Sequence, residues 1–307
     1  MWIFIAIFGH MANGLAFVID KILLNQAFKR SATYAGLVGL LSILAITLSP
    51  WVNIWPRGIT LLWVIISGVA FTTALWMFFS ALSRGEASRV VPIISALIPM
   101  VTLLGTTIFL HERLALKEYI GFFLLIIATI LLSSGKATQR LKKSAIIYSI
   151  ISAILFAVMS VTIKTIYDDV GFLSGFVSTR VIAALTGLIL ITIIDPLAGK
   201  EIKNIFAPKK SAGKQKGMNP KTAAILAIVG QSLGGLGFVG VQLAISMGSA
   251  AIVNSLQVIQ FALLVVIAFI MKSKAKTLLG ESLEKSVIVV KSIALVLMAL
   301  GLAFIVK

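Results

Sequence analysis

Residues 81–87 read ALSRGEA, and residues 244–250, in the other half of the chain, read AISMGSA. Each stretch leads into an apolar segment and then to a second related motif, HERL at 111–114 and GESL at 280–283. Because both motifs recur in the same order, we interpret the chain as an internal duplication. Five hydrophobic segments fall to each copy. The duplication predicts two repeats, 1–135 and 144–307, that form one integral unit.

The composition places this chain among membrane proteins. Of its 307 residues, 59% are hydrophobic and 12% are charged, whereas charged residues make up about 25% of soluble domains. The chain has no cysteine, which excludes disulfides and thiolate metal sites. The net charge of +17 would suit nucleic acid, but the basic residues lie in the connections between apolar runs. That placement is typical of cytoplasmic loops near anionic lipid, so we reject a nucleic-acid partner.

Ten apolar runs are long enough to cross a bilayer, which needs about 17–25 helical residues. The runs are continuous rather than alternating, so we predict helices and not barrel strands. Because each repeat crosses an odd number of times, the second copy must be inverted. The predicted fold is an all-α integral membrane protein with ten transmembrane helices in two inverted five-helix repeats, an arrangement common among transporters. The predicted spans are 2–23, 33–49, 59–80, 89–109, 117–134, 145–165, 173–194, 222–245, 249–270 and 286–306.

Lysine and arginine predict the orientation in the membrane. The connections after odd-numbered spans hold most of the 27 basic residues, and such connections face the cytoplasm. Both termini are then expected outside. The longest connection, 195–221, is rich in lysine, glycine and proline, so we expect a mobile, cationic, solvated loop there. The first span has no preceding basic residue and no cleavage pattern, so we do not interpret it as a signal peptide.

Over nearly its whole length the sequence resembles the EamA family of the drug/metabolite transporter superfamily. The residues that carry the resemblance are Ala81, Leu82, Ala87, Ser88, Pro99, the HERL motif before a span containing Gly121, and the lysines Lys21 and Lys164. The resemblance implies a ten-helix carrier that exports amino acids or related metabolites. It also implies that both termini are cytoplasmic, opposite to the charge count. Ala262 stands where a counterpart of Pro99 would be, so we expect the ninth span to lack the kink of the fourth.

The first span carries a polar stripe. His10, Asn13, Gly14, Phe17 and Lys21 fall within an arc of about 100° on a helical wheel. Such a stripe turns away from lipid, because an unpaired polar group in hydrocarbon costs several kcal/mol. It either lines a central cavity, with His10 as a proton-binding group near pH 7, or bonds neighbouring helices together.

The ninth span carries a second polar stripe. Asn254, Gln257 and Gln260 are confined to an arc of about 120°, and Gln231 lies in the eighth span. Neutral amides both donate and accept, which suits zwitterions and hydroxyl-rich solutes, although they also bond helices together. We favour cavity lining for them. Thr72 and Trp76 in the third span and Ser95 in the fourth are weaker candidates for substrate contact.

Arg180 is the deepest full charge, about seven residues into the seventh span, and it needs an anion, carbonyl groups or water because arginine keeps its proton. It either receives a substrate carboxylate or phosphate, or snorkels or bonds to carbonyls of a neighbouring helix. All ten carboxylates lie at span ends or in connections. This distribution disfavours a mechanism for lipophilic cations, which needs a buried carboxylate.

The sequence lacks the features of a membrane enzyme or an ATP-driven pump. Residues 235–240 (GLGFVG) match a dinucleotide fingerprint literally, but no strand precedes them and they lie inside an apolar span. With two histidines and no cysteine, we expect no cofactor, no metal and no catalytic residues.

Together these features predict a secondary carrier of a small polar metabolite in the plasma membrane of a prokaryote, working by alternating access around a central cavity. Its expected partners are a small-molecule solute and membrane lipids, and a monomeric state is left open. Two alternatives remain. One is a flippase for a lipid-linked head group, and the other is a membrane enzyme or assembly factor without transport activity.

Overall fold

The computed structural model of the protein describes residues 1–27, 30–85, 87–133, 142–206, 220–271 and 285–306. Every regular element within these residues is a helix, which confirms the predicted all-α class. The α-helices in chain order are α1 (Trp2–Ala27), α2 (Ser31–Leu41), α3 (Ile59–Leu82), α4 (Ala87–Phe109), α5 (Leu116–Ser133), α6 (Lys143–Val170), α7 (Phe172–Ile189), α8 (Pro196–Phe206), α9 (Pro220–Met247), α10 (Ala250–Ser255), α11 (Val258–Met271) and α12 (Lys285–Val306). A 3₁₀ helix over Ser42–Trp51 continues α2, and a π-helix over Leu190–Ile194 continues α7.

Several helices have the length and composition of membrane spans. Among the described residues, six segments qualify: Ser31–Trp51, Ile59–Leu82, Lys143–Val170, Phe172–Ile194, Ile228–Met247 and Val289–Val306. Shorter apolar helical segments cover Trp2–Ala16, Ile93–Phe109 and Ala250–Leu263. Large apolar side chains such as Phe8, Leu104, Ile228 and Val296 are exposed on the outside of the bundle, as lipid contact requires. The protein is therefore a multi-pass membrane protein, and the count of ten spans stays a prediction.

Contacts between helix ends define two faces of the bundle. On one face, Thr60 at the start of α3 donates a hydrogen bond to Asp169 near the end of α6. We call this the terminal face, because α1 begins there. On the other face, the guanidinium of Arg30 before α2 lies 3.2 Å from the carboxylate of Asp195 after α7. We call this the basic face, because the lysine-rich connections follow helices that end there.

A single glycine joins α6 to α7 at the terminal face. Gly171 has φ +81°, a conformation that costs glycine little because it has no Cβ. Its N–H donates to the carbonyl of Tyr167 at 3.0 Å, which ends α6. The reversal places α7 directly after α6, so Tyr167 and Phe176 come to lie in the same buried cluster.

The helices pack in pairs. α1 lies along α9, α3 along α6 and α7, α5 along α12, and α2 along α7, while α4 contacts α6 and α10. The α1–α9 pair is close because it meets at glycines. A Cβ on Gly237 would lie 2.7 Å from the carbonyl oxygen of Gly9 and would collide with the side chain of Asn13. This close approach sets the position of Asn13 against α9.

The ninth span, predicted as one helix over 249–270, is broken, and the break does not fall at Ala262, which lies within α11. α4 is one continuous helix through Pro99, whereas α10 ends at Ser255 and α11 begins at Val258. At the break, the N–H groups of Gln257 and Gln260 donate to carbonyls three residues back, at 3.2 and 3.0 Å. Tight turns of this kind interrupt an α-helix without proline.

The stretch 195–221 is not a loop throughout, which corrects a second expectation. Its first part forms α8, and the remainder, 207–219, lies outside the described residues. Two contacts hold α8 against α2. Thr33 Oγ1 donates to Glu201 Oε2 at 2.6 Å, and Arg30 bonds to Asp195, the residue before α8. Ala198 is buried in the same contact region.

Candidate functional site

A cavity of about 250 Å³ lies between the helices at the middle of the bundle. Pockets for drug-sized ligands usually measure about 300–1,000 Å³, so this cavity suits a smaller molecule. Its polar lining consists of His10, Asn13, Ser95, Ser160, Gln242, Asn254, Gln257 and Gln260. Its apolar lining consists of Leu75, Phe78, Val91, Ile94, Ile98, Phe156, Met159, Phe238, Val241 and Phe261. A small solute with one polar and one apolar part matches this mixture.

His10 joins α1 to the break in the ninth span. Its Nε2 lies 2.8 Å from the carbonyl oxygen of Val253, and its Nδ1 lies 3.1 Å from the amide nitrogen of Gln260. A carbonyl only accepts, so Nε2 carries a proton and Nδ1 accepts from the amide. The Val253 carbonyl needs this donor because the N–H of Gln257 bonds to Asn254 instead. Both ring nitrogens of the buried imidazole are therefore in use.

Asn254 joins three helices beside the cavity. Its amide nitrogen donates to Thr102 Oγ1 of α4 at 3.1 Å and to Ser160 Oγ of α6 at 3.0 Å. The Thr102 hydroxyl donates a hydrogen bond to the carbonyl oxygen of Ile98 at 2.7 Å. Each hydroxyl can accept from the amide while donating elsewhere. This network fixes α10 against both helices.

Two other amides face the cavity without such partners. No hydrogen bond joins the side chain of Asn13 or Gln257 to another described residue. Both are partly buried, and a polar group held away from water needs a hydrogen-bonding partner. These two side chains are therefore the lining groups best placed to bond to a molecule in the cavity.

The chain is densely packed around α10 and around the aromatic side chains that follow the junction of α6 and α7. All residues of α10 are buried. Beside them an aromatic cluster joins α6, α7 and α9: the rings of Phe172 and Phe176 stack at 5.5 Å, Tyr167 lies 5.3 Å from Phe172, and Phe176 lies 6.3 Å from Phe238.

Comparison with known proteins finds a family similarity in the N-terminal part of the chain. Residues 1–134 match the EamA-like transporter family. This family belongs to the drug/metabolite transporter superfamily, so the resemblance seen in the sequence is confirmed over residues 1–134. EamA-like proteins are membrane transporters, and the match supports a transporter rather than an enzyme.

Two further similarities accompany the EamA-like match. An uncharacterized protein of Methanocaldococcus jannaschii is 41% identical over 73 residues, which cover 24% of this chain and 53% of that protein. The chain thus spans about half the length of this relative. A crystal structure of another protein aligns with 98% of this chain and 96% of its own, with a TM-score of 0.65 and 16% identity. A likeness at this identity concerns the fold alone.

The structure brings some of the predicted site residues together and places others outside the cavity. It brings His10, Asn13, Ser95, Asn254, Gln257 and Gln260 together around the cavity. Thr72 lies outside the lining, where its hydroxyl donates to the Ala183 carbonyl at 2.9 Å. Trp76 packs in a separate cluster with α2 and α7. Gln231 lies near the Tyr34 hydroxyl, at 3.4 Å. The side chain of Phe17 lies outside the described residues.

Arg180 lies behind the cavity wall. It is 3% exposed, and its Cζ is 4.0 Å from the centroid of the Phe71 ring and 4.7 Å from that of Phe238. Phe238 also lines the cavity, so one layer of side chains separates the guanidinium from it.

Sequence reasoning did not select Ser160, Phe238 or Phe261 as site residues. Phenylalanine and serine are common in membrane helices, so composition gives no signal for these positions. The useful signal is local: Ser160 lies one helical turn before Lys164, and Phe238 one turn before Gln242. Each therefore shares a helix face with a polar residue.

Proposed function

We propose that the protein is a secondary active transporter that exports a small polar metabolite, such as an amino acid, across the plasma membrane of a prokaryote. The observation that carries the proposal is the central cavity, where Asn13 and Gln257 present amides that bond to no other described residue. The apolar lining from α3, α4 and α6 suits the hydrocarbon part of such a solute.

The helix pairing supports two inverted repeats. Exchanging the proposed repeats maps α1 onto α6, α2 onto α7, α3 onto α9, α4 onto the α10–α11 pair, and α5 onto α12. Under this exchange the contact of α1 with α9 becomes that of α6 with α3, and both are observed. The contact of α4 with α6 becomes that of α11 with α1, which is also observed. Such repeats provide two halves that rock around a fixed central site.

The break in the ninth span supports alternating access. Transporters commonly use discontinuous helices at the substrate site, where the interrupted backbone offers free polar groups. Here the break at residues 256–257 lies against the cavity, and Gln257 lines it.

The test is counterflow in proteoliposomes. Vesicles containing the purified full-length protein are loaded with each member of a panel of unlabelled amino acids, and entry of the same labelled solute is measured. We expect exchange for at least one member and a loss of at least about tenfold in Gln257→Ala, as expected when a hydrogen bond to the solute is removed. Gln231→Ala, which alters an amide outside the cavity, is the matched control.

Two results would count against this function. If Gln257→Ala and the wild type exchange solute equally, Gln257 and the cavity it lines do not take part in transport. An absence of exchange with every solute, together with transfer of a fluorescent lipid between leaflets, would support a flippase instead.

A further inference from the structure

Aromatic rings, and no ion pair with another described residue, hold Arg180 in place. Its guanidinium lies over both Phe71 and Phe238, whose ring planes are inclined at 56°. A cation over an aromatic face is attracted by the ring quadrupole. The N–H groups, however, point outward in the guanidinium plane, so contacts with its faces leave them without acceptors.

The unbonded groups lie on one edge of the guanidinium. Nε and Nη2 of Arg180 are buried and have no hydrogen-bond partner among the described residues. These two nitrogens carry parallel N–H bonds on the same side of the group. Their spacing matches the two oxygens of a carboxylate, which arginine commonly binds through two parallel hydrogen bonds.

No described carboxylate serves this edge. Asp168 and Asp169 follow Tyr167, a neighbour of Arg180, but Asp168 lies 2.9 Å from Lys164 Nζ and Asp169 accepts from Thr60. Among the described residues no salt bridge reaches Arg180. A buried charge without an anion is costly, so the site is incomplete without an external acceptor.

The guanidinium of Arg180 lies next to the wall of the cavity. Phe238 lines the cavity and also contacts the guanidinium. One turn further along α9, Gln242 lines the same cavity and accepts a hydrogen bond from the Tyr167 hydroxyl at 3.2 Å. Tyr167 in turn lies within electrostatic range of Arg180. These two side chains of α9 form the partition between cavity and guanidinium.

We propose that the Nε and Nη2 edge of Arg180 binds the carboxylate of the transported solute, next to the cavity behind Phe238 and Gln242. This inference rests on the proposed transport function and narrows its substrate class to carboxylates with an apolar portion. The carboxylate reaches the edge when Phe238 turns aside, and the amides of Asn13 and Gln257 bond to the other polar groups of the solute.

The experiment compares carboxylates with a counterpart in which an amide replaces the carboxylate. Thermal unfolding of the full-length protein in nanodiscs is followed with L-leucine, L-leucinamide, butyrate or inorganic phosphate added. We expect leucine and butyrate to stabilise the wild type, and leucinamide to bind at least about tenfold more weakly, since it lacks the charged acceptor.

Arg180→Lys tests the residue itself. Lysine keeps the charge but loses the two parallel donors, so we expect the affinity for leucine to fall about 10- to 100-fold and the preference over leucinamide to disappear. Arg84→Lys is the matched control. Arg84 also lies over an aromatic ring, 4.5 Å from the centroid of Tyr148, but it is exposed and donates to the Ser80 carbonyl.

Each outcome separates this inference from the transport proposal. Equal affinity of the wild type for leucine and leucinamide, or unchanged leucine affinity in Arg180→Lys, overturns the carboxylate site even if counterflow persists. Binding of phosphate but of no carboxylate overturns it as well. If carboxylates bind in a manner that depends on Arg180 but no counterflow is observed, the proposed carboxylate site stands and the proposed transport function is overturned. If Arg180→Lys does not fold, the comparison of leucine with leucinamide on the wild type decides.

Discussion

The amide of Gln260 donates to the imidazole of His10 at 3.1 Å, although the two residues stand 250 positions apart in the chain. The contact joins the first helix of one proposed repeat to the broken helix of the other. Because the second ring nitrogen bonds to the Val253 carbonyl, His10 acts as a bridge across the cavity wall. The choice between lining the cavity and bonding helices together is therefore not exclusive: His10 does both.

Removing the imidazole is expected to destabilise the protein. In His10→Ala the Val253 carbonyl and the Gln260 amide both lose a partner, and each unsatisfied buried group costs about 1–3 kcal/mol. We expect the free energy of unfolding, measured by SDS titration of micelles, to fall by about 2 kcal/mol or more. His10→Gln retains a donor for the carbonyl and is expected to lose less. Equal stability of His10→Ala and the wild type would show that the bridge contributes nothing.

The proton-binding role of His10 is a separate prediction. Protonation turns Nδ1 from an acceptor into a donor, so Gln260 must rotate to present its carbonyl oxygen. We expect counterflow to depend on pH through this rearrangement and to lose that dependence in His10→Gln. Gln231→Ala should keep it. A pH profile that is unchanged in His10→Gln removes His10 from proton coupling.

Asn254 is expected to support stability through both of its bonds. Asn254→Leu removes the donors to Thr102 and Ser160, and polar bonds between membrane helices contribute about 0.6–2 kcal/mol each. We expect the free energy of unfolding to fall by about 1–3 kcal/mol. Ser160→Ala, which removes one of the two acceptors, should lose about half as much. A double-mutant cycle showing no coupling between Asn254 and Ser160 contradicts the network.

The sequence predicted the helices better than the contacts within the site. Apolar runs of membrane length are enough to predict most helices, because a backbone that crosses the bilayer must satisfy its hydrogen bonds internally and has few structures available other than a helix. The same reasoning failed at the ninth span, where the break comes from tight turns around Leu256 and Gln257. Proline content gives no signal for such turns.

Helical periodicity identified most of the polar lining of the cavity, because residues on one face of a helix meet the same neighbours. It did not distinguish Asn254, whose amide is bonded to two hydroxyls, from Gln257, whose amide is not. That difference depends on α4 and α6, which are distant in sequence. Thr72 and Trp76 face α7 for the same reason: their neighbours follow from tertiary packing and not from local pattern.

Gly237 is expected to tolerate no side chain. In Gly237→Ala the new Cβ meets the Gly9 carbonyl and Asn13, so α1 and α9 must separate, and overpacking of this kind costs about 1–3 kcal/mol. Gly235→Ala is the matched control on the same helix, since a Cβ there meets nothing within 4 Å. We expect it to be neutral or to stabilise by up to about 1 kcal/mol. Unfolding in SDS measures both variants, and equal effects would contradict the close approach.

The orientation can be decided by labelling, because the chain contains no cysteine and gives no background. Asn53 is exposed near the terminal face, and Lys203 is exposed on α8 at the basic face. The distribution of lysine and arginine predicts that the basic face is cytoplasmic. We therefore expect an impermeant maleimide to label Asn53→Cys on intact cells and to label Lys203→Cys only after lysis. The reverse pattern would place both termini in the cytoplasm, as the EamA resemblance implies. It would also mean that the lysine-rich connections of this protein do not follow the positive-inside rule.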